Sequence, residues 1–175
     1  MIDVRRLAYH ALLKPPHRFL LMDAGAMAFA EQAFDLVLCS NVLPWIRDDI
    51  GALREIRRCL SSRGLAILNT HHEGEWTTPV ADFRVLHPEI DDDYLAENGD
   101  QWIYGADLLE RIRAAGMWPH AHQLFADVTP AACAEYGLRP PHEMLLGFRC
   151  RQGAERFRIE RSAFECPRVV GTTER

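Results

Sequence analysis

The stretch that decides the fold is residues 34–69, which reads FDLVLCSNVLPWIRDDIGALREIRRCLSSRGLAILN. It opens with an apolar run of strand length, continues with a segment of helical periodicity and closes with a second apolar run. An unbroken apolar run is typical of a strand that is covered on both faces. Strand, helix and strand at this spacing predict one parallel βαβ unit, and therefore an α/β fold.

The helix of this unit is predicted over residues 48–60. Asp48 or Asp49 can cap it by accepting a backbone N–H bond. Gly64 is expected to provide a left-handed turn that releases the chain into the second strand, over residues 65–68. The side chains expected to face the core recur at helical spacing and are Ile50, Leu53, Ile56 and Leu60.

Polar residues follow both predicted strands, at residues 39–41 and 69–72. In an open α/β sheet, ligands bind outside the carboxyl ends of the strands, so this edge is the candidate site. His71 and His72 lie at the end of the second strand, where an imidazole can act as a general base. The alternative is that both are solvated loop histidines.

Composition excludes several classes of function. The chain has 175 residues, 20 Lys and Arg against 25 Asp and Glu, and a net charge of -5, without the basic stripe that nucleic-acid binding requires. Its apolar runs are too short to span a membrane. The five cysteines are scattered without metal-ligand spacing, so we predict no metal site, reduced thiols and a cytoplasmic location.

Further elements are predicted on either side of the unit. One domain is expected over residues 1–150, followed by a charged, loosely held tail over 151–175. Residues 71–103, which include the acidic run 91–93, are expected to form an irregular lid or cap. The other predicted elements are helices over 5–14, 105–115 and 129–136 and strands over 18–22, 118–125 and 144–150.

Four motifs in this order resemble the class I S-adenosylmethionine-dependent methyltransferases. The segment LLMDAGAMAFAEQAFDLVLCSNVL is similar to that family's third strand, Asp-Ala turn and fourth strand. REIRRCLSSRGLAIL resembles its next helix and fifth strand, and IYGADLLERIRAAGMW its late helix. The resemblance implies a Rossmann-like sheet flanked by helices, and methyl transfer from S-adenosylmethionine to a small-molecule substrate.

The resemblance also implies roles for particular residues. Asp3 matches the acid that binds the ribose hydroxyls, and Asp23 matches the acid that binds the adenine amino group. Ala24 would lie against adenine, while Ser40 and Asn41 would line the methionine end. The alternatives are a polar terminal residue for Asp3, a turn former for Asp23 and a turn cap for Asn41.

The sequence departs from the family in one respect. The family's first strand and glycine-rich turn do not precede Asp3, so we expect a fragment, a misplaced start or a degenerate member. We expect an upstream reading frame to encode the missing strand, and residues 1–175 alone to bind S-adenosylmethionine weakly or not at all. The alternative functions are a catalytically silent methyltransferase-like module and, with less support, a nicotinamide-binding domain.

Overall fold

The computed structural model describes residues 20, 22–72, 74–87, 99–123, 129–137 and 143–156. The predicted helix over 5–14, most of the strand over 18–22, Asp3 and the acidic run 91–93 lie outside these residues. The strands are β1 Phe34–Ser40, β2 Leu60–Asn69, β3 Thr78–Pro79, β4 Trp102–Ile103, β5 Trp118–Gln123 and β6 Glu143–Phe148. The helices are α1 Asp49–Cys59, α2 Val80–Leu86, α3 Leu108–Ala114, α4 Pro130–Glu135 and α5 Arg151–Arg156, with a 3-10 helix at Leu43–Trp45.

The predicted βαβ unit is confirmed. Strands β1 and β2 are parallel neighbours, with Val37 opposite Ala66 and Cys39 opposite Leu68. The main sheet has the order β1-β2-β6-β5, and β6 runs antiparallel to both of its neighbours. The fold is therefore a mixed α/β sheet with helices packed against it.

Helix α1 begins and packs as its sequence predicts. Asp48 is its N-cap and accepts a hydrogen bond from the backbone N–H of Gly51 at 2.9 Å. Leu53, Ile56 and the following Leu60 are buried, and Ile50 packs half-buried against the same core. Burial of each such side chain contributes roughly 1.5–3 kcal/mol, so α1 is held mainly by this face.

The predicted turn at Gly64 is wrong. Strand β2 already begins at Leu60 and runs through Gly64, whose backbone is not left-handed. The end of α1 needs no glycine, because Arg149, which directly follows β6, satisfies its carbonyls. Nη1 of Arg149 donates to the carbonyls of Arg57, Arg58 and Leu60 at 2.8–2.9 Å. A guanidinium from a distant segment thus satisfies the carbonyls that a left-handed turn would otherwise satisfy.

The two faces of the sheet are covered unequally. Helices α1 and α3 cover one face, where Cys39 is buried as expected. On the other face α5 packs over β2 and β6 through Ala154, but Leu36 and Leu38 are 57% and 67% exposed. The expectation that this strand is covered on both faces is therefore wrong for the described residues, none of which packs over these two leucines.

The segment expected to be an irregular cap is more regular than predicted. Strands β3 and β4 pair antiparallel, and α2 follows β3 directly. Asp107 anchors the segment before β3 by accepting from the backbone N and Oγ1 of Thr77 at 2.7 and 2.6 Å. Gly105 allows the segment before α3 to lie against the segment before β3, since a Cβ at Gly105 would lie 2.5 Å from backbone atoms of Trp76. These long-range pairings give a defined structure to a segment whose sequence has no helical or strand periodicity.

The later elements follow the predictions closely. Leu108 and Ile112 are buried on α3, and Gly116, with φ +79°, ends the segment in the left-handed region. Thr129 caps α4 by accepting from the N–H of Ala132 at 3.2 Å. The region predicted to be a loose tail begins with helix α5, and residues 157–175 lie outside the described part. No helix among the described residues is long and apolar enough to cross a membrane.

Candidate functional site

The carboxyl ends of β1 and β2 meet through hydrogen bonds between their last residues. The N–H of Asn41 donates to the carbonyl of Asn69 at 2.7 Å, and Nδ2 of Asn69 donates to Oγ of Ser40 at 3.2 Å. Asn41 has a φ of 52°, a left-handed conformation that asparagine adopts more readily than most residues. The structure thus brings Ser40 and Asn41 together at one edge, with both side chains exposed.

Thr70 follows directly and is buried, at 7% exposure. Its Oγ1 has no hydrogen-bond partner among the described residues. A buried hydroxyl costs free energy unless a water or a ligand bonds it. Thr70 Oγ1 is therefore a buried polar atom at the end of β2 that a ligand could bond.

Asp23 lies in an exposed turn. Its Oδ1 accepts from the N–H of Gly25 at 2.8 Å, and its carbonyl accepts from the N–H of Ala26 at 3.2 Å. Oδ2 accepts no hydrogen bond from the residues that the structure describes, and Ala24 beside it is half-buried. Asp23 is therefore a turn former, as the alternative expected, and it still presents one carboxylate oxygen for a ligand.

The loop that carries Asp23 is held against α1. Arg58 donates from Nη1 to the carbonyl of Phe29 and from Nη2 to the carbonyl of Met27, both at 2.8 Å. Glu55 accepts from the N–H of Met27 at 3.1 Å and from Nη2 of Arg58 at 2.9 Å. The hydrogen bond from Arg58 lowers the pKa of the Glu55 carboxyl group. Two side chains of α1 thus fix a loop that has no regular structure of its own.

The two candidate bases lie in different surroundings. His71 is exposed, whereas His72 is half-buried, with Nδ1 3.4 Å from the carbonyl of Thr70 and Nε2 3.7 Å from Oε2 of Glu143. Gln123 in turn donates to the other oxygen of Glu143. Each ring nitrogen of His72 thus lies near an acceptor oxygen of the protein. Glu143 was missed at the sequence level, because only the antiparallel return of β6 brings it here.

A buried ionic cluster fixes the segment that follows Asn41. Asp49 is 2% exposed and accepts from Nε and Nη2 of Arg111 at 2.8 and 2.6 Å. The hydroxyl of Tyr104 donates to the same carboxylate at 2.9 Å and lies 3.3 Å from the carbonyl of Leu43. Burial first, and then the charge of Asp49, raises the pKa of Tyr104. The phenol therefore belongs to the core.

This cluster could not be predicted from local sequence patterns. Asp49 lies beside the capping residue and Arg111 is one of several charged residues on α3, so neither stands out in the chain. Among the described residues there is also no group of three His, Cys, Asp or Glu side chains that could hold a metal ion. The described site thus consists of exposed polar strand ends, a fixed acidic turn and a rigid support.

Comparisons with known proteins agree with this geometry. Residues 1–68 match the family model described as a methyltransferase domain, a range that contains every residue predicted to bind cofactor. A chain of the complex between the Haloferax volcanii Trm112 methyltransferase activator and a methyltransferase is 16% identical, with a TM-score of 0.53. The chain has a methyltransferase fold.

The match to this methyltransferase complex covers 80% of the present chain and 65% of the other chain. The YcgJ protein from Bacillus subtilis is likewise 16% identical, with a TM-score of 0.51 and coverage of 75% of this chain and 70% of that one. No curated protein matches the sequence significantly. The chain thus spans about two thirds of the length of these two solved proteins. The predicted resemblance is confirmed at the level of fold.

Proposed function

We propose that this methyltransferase-fold protein transfers a methyl group from S-adenosylmethionine to a small-molecule acceptor. The observation that carries the proposal is the exposed polar edge at Ser40 and Asn41, which lies within the segment that matches the methyltransferase family model. Ligands of open α/β sheets bind at this edge of the strands. The hydrogen bond from Asn41 to Asn69 keeps the edge in one shape.

The residues present fit an adenosine-type cofactor. The free oxygen of Asp23 can accept from the adenine amino group, Ala24 supplies an apolar contact, and Asp3 is proposed for the ribose hydroxyls. Ser40 and Asn41 offer a hydroxyl and an amide to the amino-acid end. When bound, the cofactor supplies an electrophilic methyl group on a sulfonium centre.

The chain contributes mainly positioning and exclusion of water. Holding the acceptor atom in line with the methyl group removes much of the entropic barrier, and a dry site strengthens the remaining polar contacts. His71 and His72 remain the candidate bases. The contribution of His72 to methyl transfer is testable with His72→Gln.

Calorimetric titration with S-adenosylmethionine and with its demethylated product tests the proposal. It is run on residues 1–175 and on any longer protein that the reading frame ahead of Met1 encodes. We expect Asp23→Asn to weaken binding by about 1–3 kcal/mol, since a carboxylate acceptor is lost, and Asp82→Asn on α2 to leave it unchanged. Absence of binding by both lengths would contradict the proposal, and binding without methyl transfer would support the silent module.

A further inference from the structure

Tyr104, which directly follows β4, contacts both of the segments that leave the polar strand ends. Its hydroxyl oxygen lies 3.3 Å from the carbonyl oxygen of Leu43, in segment 41–46 after β1. Its backbone forms a parallel bridge with His72, in segment 70–72 after β2. We propose that Tyr104 is a positioning residue that holds these two segments in a fixed relation. Its functional meaning rests on the proposed methyl transfer, in which one segment carries a cofactor contact and the other a candidate base.

Backbone carbonyls of segment 41–46 accept hydrogen bonds from β4 and from the residue before it. The N–H of Gln101 donates to the carbonyl of Pro44 at 2.6 Å, and Nε1 of Trp102 donates to the carbonyl of Ile46 at 2.9 Å. Together with the phenol, the chain around β4 thus contacts three carbonyls of this segment. The place of segment 41–46 is therefore set from the side of β4 as well as by β1.

The phenol is itself held by two helices. Tyr104 is 1% exposed, and its hydroxyl donates to Oδ2 of Asp49 at 2.9 Å. Arg111 donates two hydrogen bonds to the same carboxylate, at 2.8 and 2.6 Å. Burial, and then the charge of Asp49, raises the pKa of Tyr104, so the phenol keeps the proton that it donates. The position of Tyr104 is therefore fixed by side chains of α1 and α3.

Methyl transfer depends on the separation between the cofactor and the atom that accepts the methyl group. A displacement of about 1 Å can lower the rate of a reaction between positioned groups about 100-fold. The ends of β1 and β2 are joined at the sheet, where the N–H of Asn41 donates to the carbonyl of Asn69 at 2.7 Å. Tyr104 joins the segments that follow a second time, through Leu43 and His72. Two separate connections restrict rotation of one segment against the other as well as translation.

Hydrogen–deuterium exchange, measured by mass spectrometry on residues 1–175 without cofactor, tests the inference. Tyr104→Phe keeps the ring and the backbone bridge but loses the hydroxyl. We expect exchange at the backbone amides of both segments, 41–46 and 70–72, to rise at least about fivefold, because one lost hydrogen bond shifts a local opening equilibrium by about that factor. Arg149→Gln, which loses hydrogen bonds at the other end of α1, is the matched control and should leave exchange in both segments unchanged.

Trp102→Phe is the second variant, because it removes a hydrogen bond to segment 41–46 and leaves the bridge between Tyr104 and segment 70–72 in place. It should raise exchange in segment 41–46 and leave segment 70–72 unchanged. A rise in both segments for Trp102→Phe would overturn the inference, since the connection would then not belong to Tyr104. Wild-type exchange in Tyr104→Phe, a rise confined to one segment, or an equal rise in Arg149→Gln would overturn it as well.

Calorimetric titration with S-adenosylmethionine then tests whether this connection serves the site. On the length of chain that binds, Tyr104→Phe should weaken the affinity at least about fivefold, as expected when a lost hydrogen bond loosens the site, and Arg149→Gln should leave it unchanged. Unchanged affinity in Tyr104→Phe would overturn the positioning role. Absence of binding by the wild type would instead contradict the proposed methyl transfer, and the exchange measurement, which contains no cofactor, would still decide whether Tyr104 joins the two segments.

Discussion

Replacement of Arg111 by methionine is the sharpest test of how this fold is held together. The change removes two charge-assisted hydrogen bonds to Asp49, at 2.8 and 2.6 Å, and leaves a carboxylate that is 2% exposed. Each hydrogen bond to a charged group contributes about 1.5–3 kcal/mol, so the two together account for about 3–6 kcal/mol. Breaking a buried ion pair costs about 3–5 kcal/mol, which agrees with that sum. Arg111→Met should lower the free energy of unfolding by this amount.

Urea unfolding followed by circular dichroism measures the effect. Arg113→Met on the same helix is the control, because its ion-pair partner Glu110 is 60% exposed and the pair should contribute less than about 1 kcal/mol. The double variant Asp49→Asn/Arg111→Met removes the unpaired charge and should recover at least about 1 kcal/mol relative to Arg111→Met. The reasoning is refuted if Arg111→Met and Arg113→Met unfold alike, or if the double variant recovers nothing.

Three further outcomes are expected. Burial raises the pKa of the Cys39 thiol to about 11. At pH 8 iodoacetamide should therefore label this thiol about 100-fold more slowly in the folded than in the unfolded protein. The stability that the buried neutral thiol contributes should be present below pH 9.0 and lost as the pH rises toward 11. Peptide mass spectrometry and urea unfolding against pH measure these effects, and equally fast labelling would show that the thiol is accessible. Gly105→Ala should lower the free energy of unfolding by about 1–3 kcal/mol, because the new methyl group meets backbone that cannot move aside, whereas Gly25→Ala makes only ordinary contact; equal melting curves would contradict this. Arg149→Gln should lower the free energy of unfolding by about 1–2 kcal/mol, because the carbonyls at the end of α1 lose their partner. Urea unfolding measures the effect, and the exposed control Arg63→Gln should show no change.

Local sequence patterns determined the elements whose causes are local. The stripe of Leu53 and Ile56 on α1, its cap at Asp48 and the apolar run of β1 each depend on residues within a few positions of one another. For the same reason the parallel βαβ unit and the polar edge at Ser40 and Asn41 were predictable. The edge follows from the rule that parallel strands end on one side of a sheet.

Only the tertiary structure decided the features that join distant parts of the chain. Arg149 satisfies the end of α1, which no pattern near Gly64 could indicate. Arg111 and Asp49 meet across 62 positions, and each is an unremarkable charged residue until burial removes water from around the pair. Long-range pairs of this kind form because a buried polar group must find a partner, whatever its distance along the chain. The sequence thus defines the polar strand ends, and tertiary packing defines the rigid support beside them.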